Sequence, residues 1–153
     1  MVPVPETTAR RLAVRGATRY LGALHRLLYR VSGGRIGGRL WGLRVVLLTT
    51  TGRQSGKQRT VPLCSFRDGA DVVVIASYGG LDQPPAWWLN LQAHPQAEVL
   101  DGRTSRMVTA RNADPEERSR LWAELTAKAP GYLAYERRTT REIPVVILQR
   151  SPS

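Results

Sequence analysis

The sequence has one cysteine, Cys64, in 153 residues. That leaves no internal disulfide framework and no cysteine-cluster metal site, and it points to a reducing compartment. The two histidines, His25 and His94, have no second His or Cys at ligand spacing, so no metal centre is expected. Nor is there a G-x-S-x-G stretch to make either one the base of a serine hydrolase. No run of 18 or more apolar residues could span a bilayer. The opening MVPVPETTARR lacks the continuous apolar core of a signal peptide, so export is not expected and a cytoplasmic location is. Acids are scarce, with 12 Asp and Glu against 23 Lys and Arg, a formal charge of +11.

What is present suits one globular domain. Hydrophobic residues make up 42%, with four Trp and five Tyr. The length is enough for a proper core and too short for two independent ones. The positive excess is N-terminal: residues 1–44 hold nine Arg against Glu6 alone. With only two Lys in the chain, Arg dominance fits phosphate or nucleic-acid binding, or a GC-rich coding bias; composition does not separate these. No nucleic-acid recognition motif accompanies the charge, so that partner ranks last.

Residues 8–31, TARRLAVRGATRYLGALHRLLYRV, have helical period. At about 100° per residue, Arg11, Arg15, Arg19, Arg26 and Arg30 share one arc while Ala13, Ala17, Tyr20, Leu24, Leu28 and Val31 lie opposite. Two readings stay open: a helix packed on the core with a solvated Arg face, or contact with an anionic membrane surface or an access route for an apolar substrate. The glycine-rich SGGRIGGRLWG that follows reads as a flexible loop or lid. Residues 1–43 thus form a basic helix and loop, and 44–153 the rest of one structural unit.

From Arg44 the period changes. RVVLLTTT, QRTVPLCSFR and DVVVIAS read as three strands of an antiparallel meander. PPAWWLNLQAHP reads as a short helix. QAEVL and RTSRMVTARN form a hairpin about Asp101-Gly102. DPEERSRLWAELTAKAP is a helix with Asp114 as N-cap and Pro115 in its first turn. GYLAYERRTT is a short helical piece before a final strand, IPVVILQR. Six strands interrupted by helices predict an α+β fold built on a small barrel or curved sheet.

One loop carries unbalanced charge. TTTGRQSGKQRT places Arg53, Lys57 and Arg59 between two strands with no acid nearby. It is no Walker A loop, since Gly52 and Gly56 enclose only three residues and a strand follows, and no G-x-G-x-x-G is present. An anion cradle of Ser55, glycine-freed N–H groups and cations remains open beside an ordinary charged hairpin tip. Tyr132 and Tyr135, three apart, would share one helix face as core aromatics or as phenolic donors in a pocket. Trp87 and Trp88, taken alone, read as core.

In order along the chain, LLTTTGRQSGKQRTVPL, VIASYGG, PAWWLNLQAHPQAEV and GYLAY before REIPVVIL resemble the deazaflavin-dependent nitroreductases, small oxidoreductases that use coenzyme F-420. The resemblance implies a split β-barrel like that of flavin-reductase and pyridoxine-phosphate-oxidase proteins. It implies hydride transfer from reduced coenzyme F-420 to a quinone or nitroaromatic acceptor, with an FMN-using barrel enzyme or a noncatalytic deazaflavin-binding protein as alternatives. By the same resemblance Arg53, Gln54, Ser55, Gly56, Lys57 and Arg59 grip the coenzyme's phosphate and acidic tail. Pro62, Ala76, Ser77, Tyr78 and Trp87 lie against its ring, with Asn90 bracing the helix. Tyr132, Tyr135 and Ser77 are the implied catalytic groups. Gln54, Tyr78 and Ala129 depart from residues common in the family, Ala129 replacing a third pocket tyrosine. A lipid-borne quinone would suit a peripheral position at the inner face of the membrane.

Overall fold

A computed structural model describes residues 22–152. Its seven strands are β1 (Arg39–Leu40), β2 (Leu43–Thr51), β3 (Gln58–Asp68), β4 (Asp71–Ile75), β5 (Gln96–Asp101), β6 (Thr104–Asn112) and β7 (Val145–Arg150). They form one antiparallel sheet in the order β1-β2-β3-β4-β7-β6-β5, and β5 pairs again with β2. Strands β2 to β7 therefore close into a six-stranded barrel, with β1 appended as an edge. This is the expected α+β split barrel. The added strand β1, two residues long, is too short to show any period in the sequence.

The helices are α1 over 22–32, then α2 (Ala86–Ala93), α3 (Pro115–Lys128) and α4 (Tyr132–Arg138), with a 3-10 turn at Tyr78–Gly80. DVVVI and VVIL lack apolar-polar alternation because both faces of β4 and β7 are covered. Val72, Val74, Val146 and Leu148 pack with Val46, Leu48 and Val99, and Trp87 and Leu91 of α2 join them. On the opposite faces, Val73, Ile75, Val145 and Ile147 pack against Leu121, Trp122 and Leu125 of α3. A buried carboxylate ties one corner: Asp101 accepts from Arg44 of β2 at 2.6 Å and Arg67 of β3 at 2.8 Å. Two guanidiniums offset its desolvation, and removing either leaves buried charge less compensated.

The described part of the N-terminal helix packs on the core, with Arg30 exposed, but not through the apolar face that the helical period picks out. Tyr29 is the residue it buries, at 1% exposure, against Val45 and Leu47, and its hydroxyl accepts from Gly102 N at 2.7 Å. Arg26 turns partly inward, while Leu24, Leu27, Leu28 and Val31 face outward. One aromatic ring with a reachable backbone N–H decides the docking face, and the leucines find no partner on the barrel. The remainder of the predicted helix, 8–21, lies outside the described residues. The segment expected to be a flexible lid is a turn and strand held by Gly34 N to Tyr29 O (2.9 Å), Ile36 N to Ser32 Oγ (3.0 Å) and Val45 N to Gly38 O (2.9 Å).

Helix α3 opens on a capping box. Glu117 N donates to Asp114 Oδ1 at 2.8 Å, and Asp114 N donates to the Glu117 carboxylate at 3.0 Å. The Arg111 guanidinium, 2.7 Å away, and then the Asp114 N–H lower the Glu117 carboxyl from 4.5 to about 2. A depressed carboxyl contributes stability above its unfolded pKa and loses it as pH falls through the folded value. The melting temperature is therefore expected to fall between pH 4.5 and about 2 in part through this group. Glu117→Gln, which can still cap but carries no charge, should flatten that part of the fall; an unchanged pH slope would contradict the assignment.

Candidate active site

The site begins with a strand that has one neighbour too few. β3 pairs with β2 from Gln58 to Ser65 but with β4 only from Ser65 to Asp68. Over Gln58–Cys64 its other edge has no strand beside it among the described residues, because β4 ends at Ile75 and the chain turns away. Pro62, which has no N–H, stands in this stretch, where no ladder needs the missing donor.

Two adjoining cavities follow that edge. One, of about 920 Å³, is bounded by the 52–55 part of the charged loop, Arg59, Asn90 and Arg26. The other, of about 470 Å³, is bounded by Pro62, Cys64, Ser77 and Tyr132. Val61, Tyr78, Ala86 and Trp87 border both, so they form one groove. Among the described residues neither is lined by an Asp or Glu.

At the charged end, Gly52 N donates to Lys57 O at 2.7 Å and Gly56 N to Gly52 O at 2.8 Å. Gly56 has φ +69°, which closes the loop. Ser55 Oγ accepts from Lys57 N at 3.2 Å, leaving its hydroxyl proton available to a ligand. Asn90, buried on α2, holds the loop in place. Its Oδ1 accepts from Arg53 N at 3.2 Å and Arg53 Nη1 at 3.1 Å, and its Nδ2 donates to Thr50 Oγ1 at 3.1 Å. The glycine N–H groups expected to be free for a ligand are thus bonded inside the loop, whose tight closure uses them; guanidiniums and a hydroxyl remain as donors suited to an anion. Gln54 borders the cavity; Gly56 and Lys57 are exposed and do not. Arg26 does border it, although β1 and β2 separate it from Arg53 in sequence. Its place in a basic helix was the only sequence signal, and that signal does not say which Arg turns inward.

At the other end, Ser77 and Tyr78 follow β4 and border the groove, whereas Ala76 is fully buried and borders neither cavity. Gly80 lets α4 pack directly on this turn, since a Cβ there would stand 2.7 Å from Tyr135 O. Trp87 borders both cavities, while Trp88 turns aside and donates from Nε1 to Asn112 at 3.0 Å. Tyr132 is 6% exposed. Burial pushes its phenol above its ordinary value, with the Cys64 thiol beside it, and burial likewise raises Cys64. Both are protonated at neutral pH. Tyr132 meets Tyr135 edge to face, with ring centroids 5.4 Å apart. The two are not equivalent: Tyr135 borders a separate cavity of about 420 Å³ shared with Trp41, Ala129 and Tyr132. Among the described residues no cluster of three His, Cys, Asp or Glu could hold a metal.

Known proteins are similar to this chain in sequence and fold. A family described as F420H(2)-dependent quinone reductase matches residues 23–150. An F420H(2)-dependent quinone reductase of Mycobacterium tuberculosis is 40% identical over 131 residues, covering 83% of this chain and 88% of the relative. A solved F420-H2 dependent reductase is 39% identical with TM-score 0.63, covering 69% of this chain and 93% of that one. Another solved structure, a domain-swapped dimer, is 33% identical with TM-score 0.67 over 92% of this chain and 99% of its own. A Vibrio cholerae heme storage protein, HutZ, is 12% identical with TM-score 0.53 over 71% of this chain and 82% of its own, and shares the fold alone.

Proposed function

The chain belongs to the F420H(2)-dependent quinone reductase family, and from that premise we propose that the groove along β3 holds coenzyme F-420 while a quinone accepts hydride from it beside Tyr132. The observation that carries this reading is a groove that no acid among the described residues lines, cationic at one end and closed at the other by a neutral, buried phenol. Arg53, Arg59 and Ser55 suit the coenzyme's phosphate, and Arg26, Gln54 and Lys57 its acidic tail. Pro62, Trp87 and the Ser77–Tyr78 backbone would flank the ring, and Asn90 acts through Arg53. Bound there, the coenzyme supplies hydride from its ring carbon.

The protein's own part is to bind, orient and donate. The raised phenol of Tyr132 makes it a poor proton source and a persistent hydrogen-bond donor, so it polarises the acceptor oxygen and water delivers the proton that completes the hydroquinone. Ser77 is a second donor at the same wall. Tyr135 supports Tyr132 by edge contact and opens on the Trp41 cavity. A nitroaromatic could be polarised by the same donors, as a secondary acceptor class.

We also propose that α1 meets an anionic membrane surface. Leu27 and Val31 are 57% and 76% exposed, and Ile36, Leu40 and Trp41 continue the apolar surface. Arg30, Arg35 and Arg39 lie among them, and no acid occurs between Glu6 and Asp68. Apolar side chains ringed by arginine suit a lipid interface. Among the described residues no helix is long and apolar enough to cross a membrane.

Purified protein should oxidise reduced coenzyme F-420 with a quinone panel, and bind the oxidised coenzyme in preference to FMN by fluorescence titration. Arg53→Ala or Arg59→Ala should weaken coenzyme affinity by about tenfold or more, as loss of a charge-assisted hydrogen bond does. Tyr132→Phe should lower kcat by about tenfold with little change in coenzyme affinity. No oxidation above background, or equal turnover in Tyr132→Phe, would contradict the corresponding role. The protein should sediment with anionic vesicles, and Leu27→Glu with Val31→Glu should abolish this. Absence of vesicle binding together with a dimer in light scattering would instead place a second copy on α1.

A further inference from the structure

Arg141, on the loop between α4 and β7, borders neither groove cavity yet fastens the turn beneath the ring end. Its Nη2 donates to the carbonyls of Ala76 at 3.1 Å and Ser77 at 3.0 Å, and its Nε donates to Leu81 O at 2.9 Å. Its Nη1 is buried without a hydrogen-bond partner. Among the described residues no carboxylate forms a salt bridge with it. A cation so placed spends its charge on peptide carbonyls, which is an unusual use for a partly buried arginine.

The geometry has a consequence on the groove side. The Ala76 carbonyl and the Ser77 N–H belong to one trans peptide, and the Ser77 carbonyl and the Tyr78 N–H to the next, so carbonyls turned to Arg141 point those N–H groups away from it. Among the described residues neither N–H has a hydrogen-bond acceptor, and Ser77 and Tyr78 both border the ring-end cavity. A guanidinium on the oxygen of an amide polarises that amide and strengthens its N–H as a donor. On the other side, Gly80 packs against the Tyr135 backbone, so the turn has steric support besides Arg141.

We propose that Arg141 is a positioning residue that aims and polarises the Ser77 and Tyr78 N–H groups toward the hydride-carrying ring of the coenzyme, favouring its reduced form. This rests on the coenzyme reading above. Hydride uptake adds two electrons and one proton to the ring, so the reduced ring is the more electron-rich and gains more from strengthened donors. A plain structural clip would affect folding, and would affect both coenzyme forms alike.

The test compares dissociation constants of the oxidised and reduced coenzyme for the wild-type protein, Arg141→Gln and Arg141→Lys, alongside melting temperatures. Arg141→Gln should weaken the reduced form about tenfold more than the oxidised form, the scale of one charge-assisted hydrogen bond. Arg141→Lys, which keeps the charge without the planar fork, should show a smaller difference of the same sign; it also serves if the Gln variant does not fold. Equal weakening of both forms, or a lower melting temperature with unchanged affinities, overturns the inference alone. Failure of the wild-type protein to bind either form overturns the coenzyme reading and this inference with it.

Discussion

The free edge of β3 is the constraint on which the site depends. A barrel strand paired on both sides offers a ligand only its side chains. From Gln58 to Cys64, β3 has β2 on one side and, among the described residues, no strand on the other, so backbone and side chains together form the wall of a groove. An open edge invites aggregation unless it is covered or interrupted. Here Pro62 interrupts its donors, α2 and the turn after β4 stand across from it, and the coenzyme is the proposed cover.

The groove's two ends differ because different elements close them. At one end the chain makes a tight glycine turn, and buried Asn90 ties Arg53 to α2 and α2 to Thr50, so cations are held beside the cavity with no carboxylate to neutralise them. At the other end, both faces of β4 are covered, and its continuation carries Ser77 and Tyr78 out of the sheet against α4. There Tyr132 is desolvated and stays protonated. Positive charge and a neutral phenol are thus separated along one strand.

Much of this was legible in the chain. Apolar runs bounded by turns marked six strands, Asp114 and Pro115 marked the start of α3, and the acid-free loop at Arg53 to Arg59 stood out as either an anion cradle or a charged hairpin tip. The resemblance then supplied barrel closure and the coenzyme. What escaped had no local signal. Periodicity ranks helix faces by hydropathy, yet Tyr29 docks α1 through one ring and one hydroxyl, leaving Leu24 and Val31 outside and bringing Arg26 to the groove. Tyr132 and Tyr135 share spacing and face, but Tyr132 borders the groove and Tyr135 only the separate Trp41 cavity. Ala76 is a neighbour of the site in sequence and a core residue in space. Arg141 acts through peptide carbonyls, a role no motif encodes.

Hydrogen exchange of backbone amides with and without oxidised coenzyme F-420 tests the central claim most directly, because it reads the β3 edge itself. Addition of coenzyme should slow exchange in the Gly52–Arg59 loop, along Val61 to Cys64 and at Ser77 to Gly80, leaving the capped start of α3 unchanged. Protection confined to other elements, or none at saturating coenzyme, would contradict the assignment of the groove.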